Sequence, residues 1–458
     1  MRTFCLFSFL LICQFAFSQD IKAKLGAAIT KLEGDEQFKH AIISMYVVDG
    51  KTGKVLYDKN GQVGLAPASC QKVVTSVSAF EMLGKDYRYK TDVGYFKQDY
   101  DITGLYFIGR GDPTLGSFRF ASTRESIFME QLKNELVKAG IKSIDHTIAI
   151  GDSIFSPQPI PDGWVWQDIG NYFGAGADAI NWRENQYTII LDAGKAEGDS
   201  TTIRGFEPSY AKIDFDNRCK TGPRKSGDQS YVYFSSNPNQ GLILGTIPLG
   251  ENNFKVSAAV RAPHDYFRSA IFDYLDKNRF VNLVGSDLWE NNYKETFLYT
   301  YLSPPLDSIN YWFLKKSINL YGEAFVKTIA YQKTKIGSTD SGVNVIRNFW
   351  VDKGIERSAL KIIDGSGLSP ANRLTTNALV TVLQYAKQRP WFSSFYNALP
   401  EMNGIKMKDG YIGGVRSYTG YVKSASGAEY SFSFIVNNFD GSPASAREKI
   451  WKVLDLLK

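Results

Sequence analysis

The sequence predicts a mixed α/β (α+β) protein in which both ends of the chain build one domain around β-rich inserted domains. Three observations predict it. A strand, turn, strand and helix follow one another between about Ala41 and Leu83. From about Lys90 to Ala262 helical periodicity is sparse and short β-rich runs alternate with loops of Gly, Pro, Asn and Asp. From Tyr266 helical periodicity returns and lasts almost to the end. The expected boundaries are 19–89 and 263–458 for the two parts of the first domain, with 90–262 as one or two inserted modules.

Residues 1–18 read as a signal peptide. Arg2 is the only charge before Asp20, Phe4 to Ile12 is mostly apolar, and Ala16-Phe17-Ser18 supplies small residues at the processing positions, leaving Gln19 as the new N-terminus. No later stretch approaches the ~20 apolar residues a membrane span needs. An exported chain without a transmembrane anchor is expected. Ile21 to Leu32 then has helical spacing. Ala41 to Val48 reads as a strand, Asp49 to Gly53 as a turn and Lys54 to Tyr57 as its partner strand. Pro67-Ala68 opens a helix whose apolar residues Val73, Val74, Val77, Phe80 and Leu83 recur at helical spacing, and Gly84 stops it.

The inserted stretch contributes β-rich runs at Gly104 to Ile108, Thr147 to Ile150, Gln186 to Leu191, Tyr231 to Phe234 and Gly241 to Ile247. Helices follow at Tyr266 to Lys277, Leu306 to Ser317, Leu320 to Gln332, Gly342 to Lys353, Thr375 to Gln388 and Ala446 to Leu457. Gly414 to Val422 and Glu429 to Asn437 read as paired strands around a turn at Ser424 to Gly427.

Composition narrows the function classes. Losing Arg2 with the signal lowers the net charge from +6 to +5, and no block of Lys and Arg appears, so a nucleic-acid partner is not expected. The three histidines fall in no H-E-x-x-H motif, and no G-x-S-x-G elbow is present, which argues against a zinc peptidase and a Ser-His-Asp hydrolase. No metal or cofactor is implied. Cys5 and Cys13 leave with the signal; Cys70 and Cys219 remain, too few for a disulfide framework, and their pairing stays open. Cys70 is expected to be a buried small residue.

Three distant segments carry candidate chemistry. In Ser69-Cys70-Gln71-Lys72, Ser69 and Lys72 share one helix face. Burial there disfavours the ammonium, and a neutral amine takes the serine proton. The helix start also presents backbone N–H groups to a developing oxyanion. Ser317-Ile318-Asn319 offers a hydroxyl and an amide, although both residues are also ordinary helix caps. Lys408-Asp409-Gly410 offers a cation beside a glycine. Alone each is weak, and S-x-x-K also occurs at Ser209/Lys212 and Ser358/Lys361. In order, they resemble the S-x-x-K, S-D-N and K-T-G signature of penicillin-binding proteins and class A β-lactamases.

Further ordered matches include Gly109-Arg110-Gly111-Asp112-Pro113-Thr114-Leu115, Gly151-Asp152-Ser153, Pro161-Asp162-Gly163-Trp164-Val165-Trp166, Asn181-Trp182-Arg183-Glu184-Asn185, Lys316 to Glu323, Asp364-Gly365-Ser366-Gly367 and Gly414 to Tyr421. Through these the chain resembles the D-alanyl-D-alanine carboxypeptidase/endopeptidases, the class C low-molecular-mass penicillin-binding proteins, over essentially its whole mature length. The resemblance implies a transpeptidase/β-lactamase-like domain. It implies Ser69 as acylated nucleophile, Lys72 as its base, Ser317 and Asn319 as the second wall, and Lys408 as the strand-borne cation followed by Asp409 and Gly410. It also places Asp152 near the amine of the substrate side chain. Peptidoglycan peptides become the expected substrate, β-lactams the covalent inhibitors, and the periplasm the compartment.

Two residues depart from that pattern: Ile318, at a position that is commonly variable, and Asp409. The family has Thr or Ser where this chain has Asp409, and the hydroxyl helps to bind the free carboxylate of peptide or penicillin. An ionised aspartate repels that group. Asp409 is therefore protonated, rotated away, or neutralised by Lys408 or Arg416; otherwise the substrate carries no carboxylate there, as in an internal crosslink. A catalytically impaired peptidoglycan-binding or scaffold protein of the same fold is the alternative, and a β-lactamase or esterase a third reading.

Overall fold

The computed structural model describes residues 20–98, 101–144, 147–151, 154–211, 213–235, 240–281 and 294–458. The expected signal peptide lies outside the described residues. The chain divides into two compact units, one of residues 1–82, 310–317 and 343–458 and one of residues 83–309 and 318–342.

The first unit is built on a six-stranded sheet. Its strands are β1 (Ile42–Asp49), β2 (Val55–Lys59), β3 (Glu401–Met402), β4 (Ile405–Ile412), β5 (Val415–Lys423) and β6 (Glu429–Asn437), in the spatial order β3-β4-β5-β6-β1-β2. Every ladder is antiparallel. The pairing of Ile42 with Asn437 through to Asp49 with Tyr430 joins the N-terminal and C-terminal parts of the chain in one sheet.

Alternation along each strand sends neighbouring side chains to opposite faces. Ile43, Met45 and Val47 of β1, Phe432, Phe434 and Val436 of β6 and Met407 of β4 form one apolar face. It packs on α1 (residues 20–33) through Leu25 and Ile29, and on α2 (Pro443–Leu454) through Ile450 and Val453. The opposite face is rich in small hydroxyls: Ser44, Ser417, Thr419, Ser431 and Ser433 are all buried. The helix Thr376–Lys387 lies on that face, where Thr376 Oγ1 and Ser44 Oγ are 2.7 Å apart and Gln384 donates to Ser431 at 2.8 Å. Lys408, one residue beyond Met407, belongs to this polar face.

The second unit carries the β-rich stretch. Lys294–Leu302, Lys90–Gln98, Asp101–Gly109 and Thr147–Gly151 pair in that order in one sheet. Phe254–Ala259, Gln186–Asp192 and Thr202–Glu207 form a second sheet, and Tyr231–Phe234, Gln240–Leu244 and Asp214–Asn217 a third. Phe107, Phe128, Trp182 and Phe267 meet edge to face in its core, with centroids 5.0 to 6.0 Å apart.

Two expectations need correction here. The chain does not return to the first unit at residue 263. Lys294–Leu302 is a full strand on Lys90–Gln98, and Pro263–Lys277 contributes Phe267 and Ile271 to the second unit's core, so the stretch through Ile309 stays with that unit. The stretch expected to be β-rich also contains the helix Glu125–Lys138, whose buried Phe128, Met129, Leu132 and Leu136 recur at helical spacing. The short helix Phe392–Ala398 is a further addition. No described helix is long and apolar enough to cross a membrane.

Candidate active site

Pro67 leads into a 3-10 turn, Ala68–Gln71, which continues as the α-helix Lys72–Leu83. The expected single helix thus begins one tighter turn, and that turn holds Ser69. Ala68 just before it sits at φ +45°, a left-handed conformation that costs a residue with a side chain of order 1–3 kcal/mol. Lys72 opens the α-helix with no exposed surface. Its Nζ donates to Ser69 Oγ at 2.9 Å and to the carbonyl of Ser366 at 2.7 Å. The Phe313 ring centroid lies 5.9 Å from the same nitrogen. The amine is therefore dry, aimed at the hydroxyl and anchored from behind.

The anchor is the loop Asp364 to Ser369. Buried Asp364 accepts from the backbone N–H groups of Gly367 and Ser369, both at 2.7 Å, and from the Gln71 amide at 3.0 Å. Thr75 Oγ1 donates to the Gly365 carbonyl at 2.6 Å. Gly367 sits at φ +82°, and a Cβ there would come 2.0 Å from the Ala68 carbonyl. Only glycine lets the loop close on the Ser69 turn. From sequence Ser366 is a loop residue shaping the site. Its contribution is a main-chain carbonyl, which side-chain chemistry does not reveal.

β4 passes along the other side of Ser69. A Cβ on Gly410 would lie 2.9 Å from Ser69 N, 2.6 Å from the Pro67 carbonyl and 2.3 Å from Ser417 Oγ, so strand and turn touch at backbone level. Ser417 Oγ donates to the Pro67 carbonyl at 2.5 Å. Cys70 is fully buried, and its Sγ–H points to the Lys408 carbonyl at 3.2 Å. Burial pushes the thiol up to about 11, offset in part by Ser417 and Lys408, so it stays protonated at neutral pH and is a packing group. Cys70 and Cys219 are both free cysteines. The third strand's pairing with β4 involves only Ile405 and Lys406. Among the described residues, β4 from Met407 onward therefore has a strand partner on one side only.

Lys408, 1% exposed in its side chain, donates from Nζ to Asp409 Oδ1 at 2.9 Å and to the Asp409 carbonyl at 2.7 Å. Burial resists ionisation of Asp409, but the Lys408 ammonium, its hydrogen bond and the charge of Arg416 outweigh it and hold the carboxyl below its usual range. Of the alternatives posed by the sequence, neutralisation by Lys408 with help from Arg416 is the one the geometry supports.

The middle triplet divides between the units. Ser317 belongs to the first, half-buried at φ +56°, two residues beyond the helix Leu306–Lys315 that carries Phe313. Asn319 belongs to the second as the first residue of the helix Asn319–Thr334. The cap position is Ile318, so the alternative reading of Asn319 as a helix cap does not hold. Asn319 Nδ2 donates instead to the Phe173 carbonyl at 2.7 Å. Two turns along, Lys327 donates to the carbonyls of Gln158 and Ala177 at 2.6 and 2.9 Å. Asp152 lies outside the described residues.

A serine hydrogen-bonded to a buried amine thus lies against a glycine of β4, with a lysine on the same strand. The model of the D-Ala-D-Ala carboxypeptidase 3 (S13) family matches residues 25–456. The chain belongs to this family. The D-alanyl-D-alanine carboxypeptidase of Actinomadura sp. (strain R39) is 26% identical over 92% of this chain and 83% of its own length. The D-alanyl-D-alanine carboxypeptidase DacB of Haemophilus influenzae is 23% identical over 86% and 85%. The crystal structure of penicillin-binding protein 4 from Haemophilus influenzae shares the fold, with a TM-score of 0.77 at 22% identity over 95% of this chain and 97% of that one. The S13 carboxypeptidase described here is accordingly a serine-type hydrolase with a penicillin-binding-protein fold.

Proposed function

We propose that this S13 carboxypeptidase acts in the periplasm on peptidoglycan stem peptides or their crosslinks, with Ser69 as nucleophile. The observation that carries the proposal is the 2.9 Å hydrogen bond between Ser69 Oγ and the buried Lys72 Nζ. Lys72, the buried base, takes the Ser69 proton as Oγ bonds to the carbonyl carbon of the D-alanyl residue. The oxyanion draws on the Ser69 amide at the opening of the turn. Ser317 passes the proton to the departing amine as the C–N bond breaks. A water then attacks the Ser69 ester, and its proton returns through Lys72 to Oγ.

The open side of β4 suits an extended peptide laid against Lys408 to Gly410, with main-chain hydrogen bonds supplying affinity. Asn319 holds the substrate amide, and Asp152 meets the side-chain amine of the stem peptide. β-Lactams enter the same route and stop at the acyl-enzyme. The Lys408–Asp409 ion pair favours a substrate with no free carboxylate at that strand, hence endopeptidase cleavage of an internal crosslink over trimming of a free terminus.

The test is intact mass after incubation with benzylpenicillin, beside hydrolysis of muropeptide dimers. One adduct on the wild type and none on Ser69→Ala is expected. Hydrolysis of dimers without an adduct keeps the peptidase and places the fault in the carboxylate pocket. Neither adduct nor hydrolysis assigns the chain to the scaffold reading.

A further inference from the structure

The second unit contains a groove of about 450 Å³, remote in sequence from Ser69, Lys72, Ser317 and Lys408, lined by Trp166, Asp214, Phe215, Asp216, Phe234 and Gln240 among others. Trp166 is fixed from behind. Its Nε1–H donates to the Phe234 carbonyl at 3.3 Å, and its ring lies 4.5 Å from that of Tyr233. The residue is nevertheless 57% exposed. An indole held rigid yet left bare is a plate awaiting a partner.

Phe215 borders the groove but packs inward on the core. Phe215 lies across from Gly241, where a Cβ would come within 2.2 Å of its ring, so the missing side chain makes room for the ring. Phe206 stacks behind it at 6.1 Å. Alternation on the strand Asp214–Asn217 sends exposed Asp214 and Asp216 to one face, towards the rim beside Trp166, and half-buried Phe215 to the other. Arg218 binds Asp216 at 2.7 Å, which balances one carboxylate and brings a guanidinium donor to the rim. The exposed amide of Gln240 adds both a donor and an acceptor.

This combination discriminates between ligand classes. An anionic polymer is repelled by the two carboxylates. A dry apolar peptide face would leave those carboxylates and the amide desolvated and unpaired. A cation would find the Asp216 carboxylate already paired with Arg218. A sugar ring fits each feature: its C–H face lies on an aromatic plate, and its equatorial hydroxyl and acetamido groups meet a rim of mixed donors and acceptors. We propose that this groove binds a neutral N-acetylated oligosaccharide, the sugar chain from which stem peptides hang; the choice of sugar rests on the proposed function. The unit would then hold polymeric substrate by its glycan, independently of the chemistry at Ser69.

The test titrates the full chain, as wild type, Trp166→Ala, Trp166→Phe and Asp214→Asn, with a β-1,4-linked N-acetylglucosamine tetramer by calorimetry. Benzylpenicillin adduct formation is followed in parallel. Saturable binding in the millimolar range is expected, weakened about tenfold in Trp166→Ala, the equivalent of one lost stacking face. Trp166→Phe, which keeps a plate, should retain most of the binding. Penicillin acylation should be equal in wild type and Trp166→Ala, while release of peptide from intact sacculi falls more than hydrolysis of a soluble peptide. No saturable binding by the wild type, or equal binding by Trp166→Ala, overturns the proposal. So does preferential binding of a lysine-bearing peptide that Asp214→Asn abolishes, since the groove then recognises a cation. Adduct without sugar binding sinks the groove alone, and sugar binding without adduct sinks the catalytic reading alone.

Discussion

Replacing Asp409 by Thr should speed acylation by penicillin. A substrate carboxylate about 4 Å from the Asp409 carboxylate meets a repulsion of about 4 kcal/mol at an effective dielectric near 20. Lys408 Nζ, 2.9 Å from Asp409 Oδ1, offers an attraction of similar size, so the two largely cancel and the strand presents little net charge to an anion. Removing the carboxylate frees the attraction. The Asp409 side chain is 37% exposed, however, and solvent screening reduces the gain. A net effect of about 1–2 kcal/mol, or roughly fivefold to thirtyfold in rate, is expected. The assay is the second-order rate of labelling by a fluorescent penicillin, with the thermal midpoint as a check on folding. The sign with pH also follows. Because the Asp409 carboxyl is held below its usual range, it stays charged throughout pH 5 to 8, and its ion pair contributes stability above the unfolded pKa that is lost only as pH falls through the lower folded value. The advantage of Asp409→Thr should therefore be flat from pH 5 to 8. A folded Asp409→Thr that labels no faster than wild type, or an advantage that vanishes at pH 5, refutes the electrostatic argument.

Gly410→Ala should cut penicillin labelling by about 100-fold or more, because its Cβ would sit 2.9 Å from Ser69 N and force turn and strand apart; labelling at the wild-type rate would show that the approach is unimportant. Iodoacetamide at pH 7.5 should leave Cys70 of the native protein unmodified, since the thiol is buried and pushed up to about 11, while the same sample still acylates at Ser69; peptide mass mapping reads both. Lys327→Met should change how stability depends on pH. Burial lowers the Lys327 pKa from its ordinary value to about 8, opposed by Asp178 and Glu323, so between pH 8 and 10 the unfolded chain binds more protons and the wild type gains stability relative to the variant as pH rises. Urea midpoints of the two proteins at pH 7 and 9.5 check this, and a constant difference between them would contradict it.

What could be read from the sequence was whatever depends on local pattern. The alternation that marks Glu429–Asn437 and the helical repeat through Val73, Val77 and Phe80 both carry their answer in neighbouring residues. The reach of the second unit does not. Whether Lys294–Leu302 joins Lys90–Gln98 depends on a strand pairing across about 200 residues, for which a single sequence holds no local signal. The helix Glu125–Lys138 is a different case, because its apolar spacing was present and was outweighed by the β-rich runs around it.

The same division runs through the site. Ser69 and Lys72 are three residues apart, and helical geometry alone brings them face to face. The group that orients the amine is the Ser366 carbonyl, and a main-chain atom leaves no mark in side-chain identity; only the glycines around it signal that backbone must approach backbone. Asp409 sits between these extremes. Its type raised the right question, but the answer lies in where the neighbouring Lys408 ammonium points, and a lysine with four rotatable bonds can reach either its neighbour or a ligand. The site thus places its most legible part, the serine–amine pair, on rigid helical geometry, and its least legible part on a flexible cation whose present partner a substrate must displace or leave in place. On the proposed function, substrate selection lies with Lys408 and Asp409 and bond making at the turn, so changes at 408 and 409 should alter which peptides are cut while changes at 69 and 72 abolish cutting altogether.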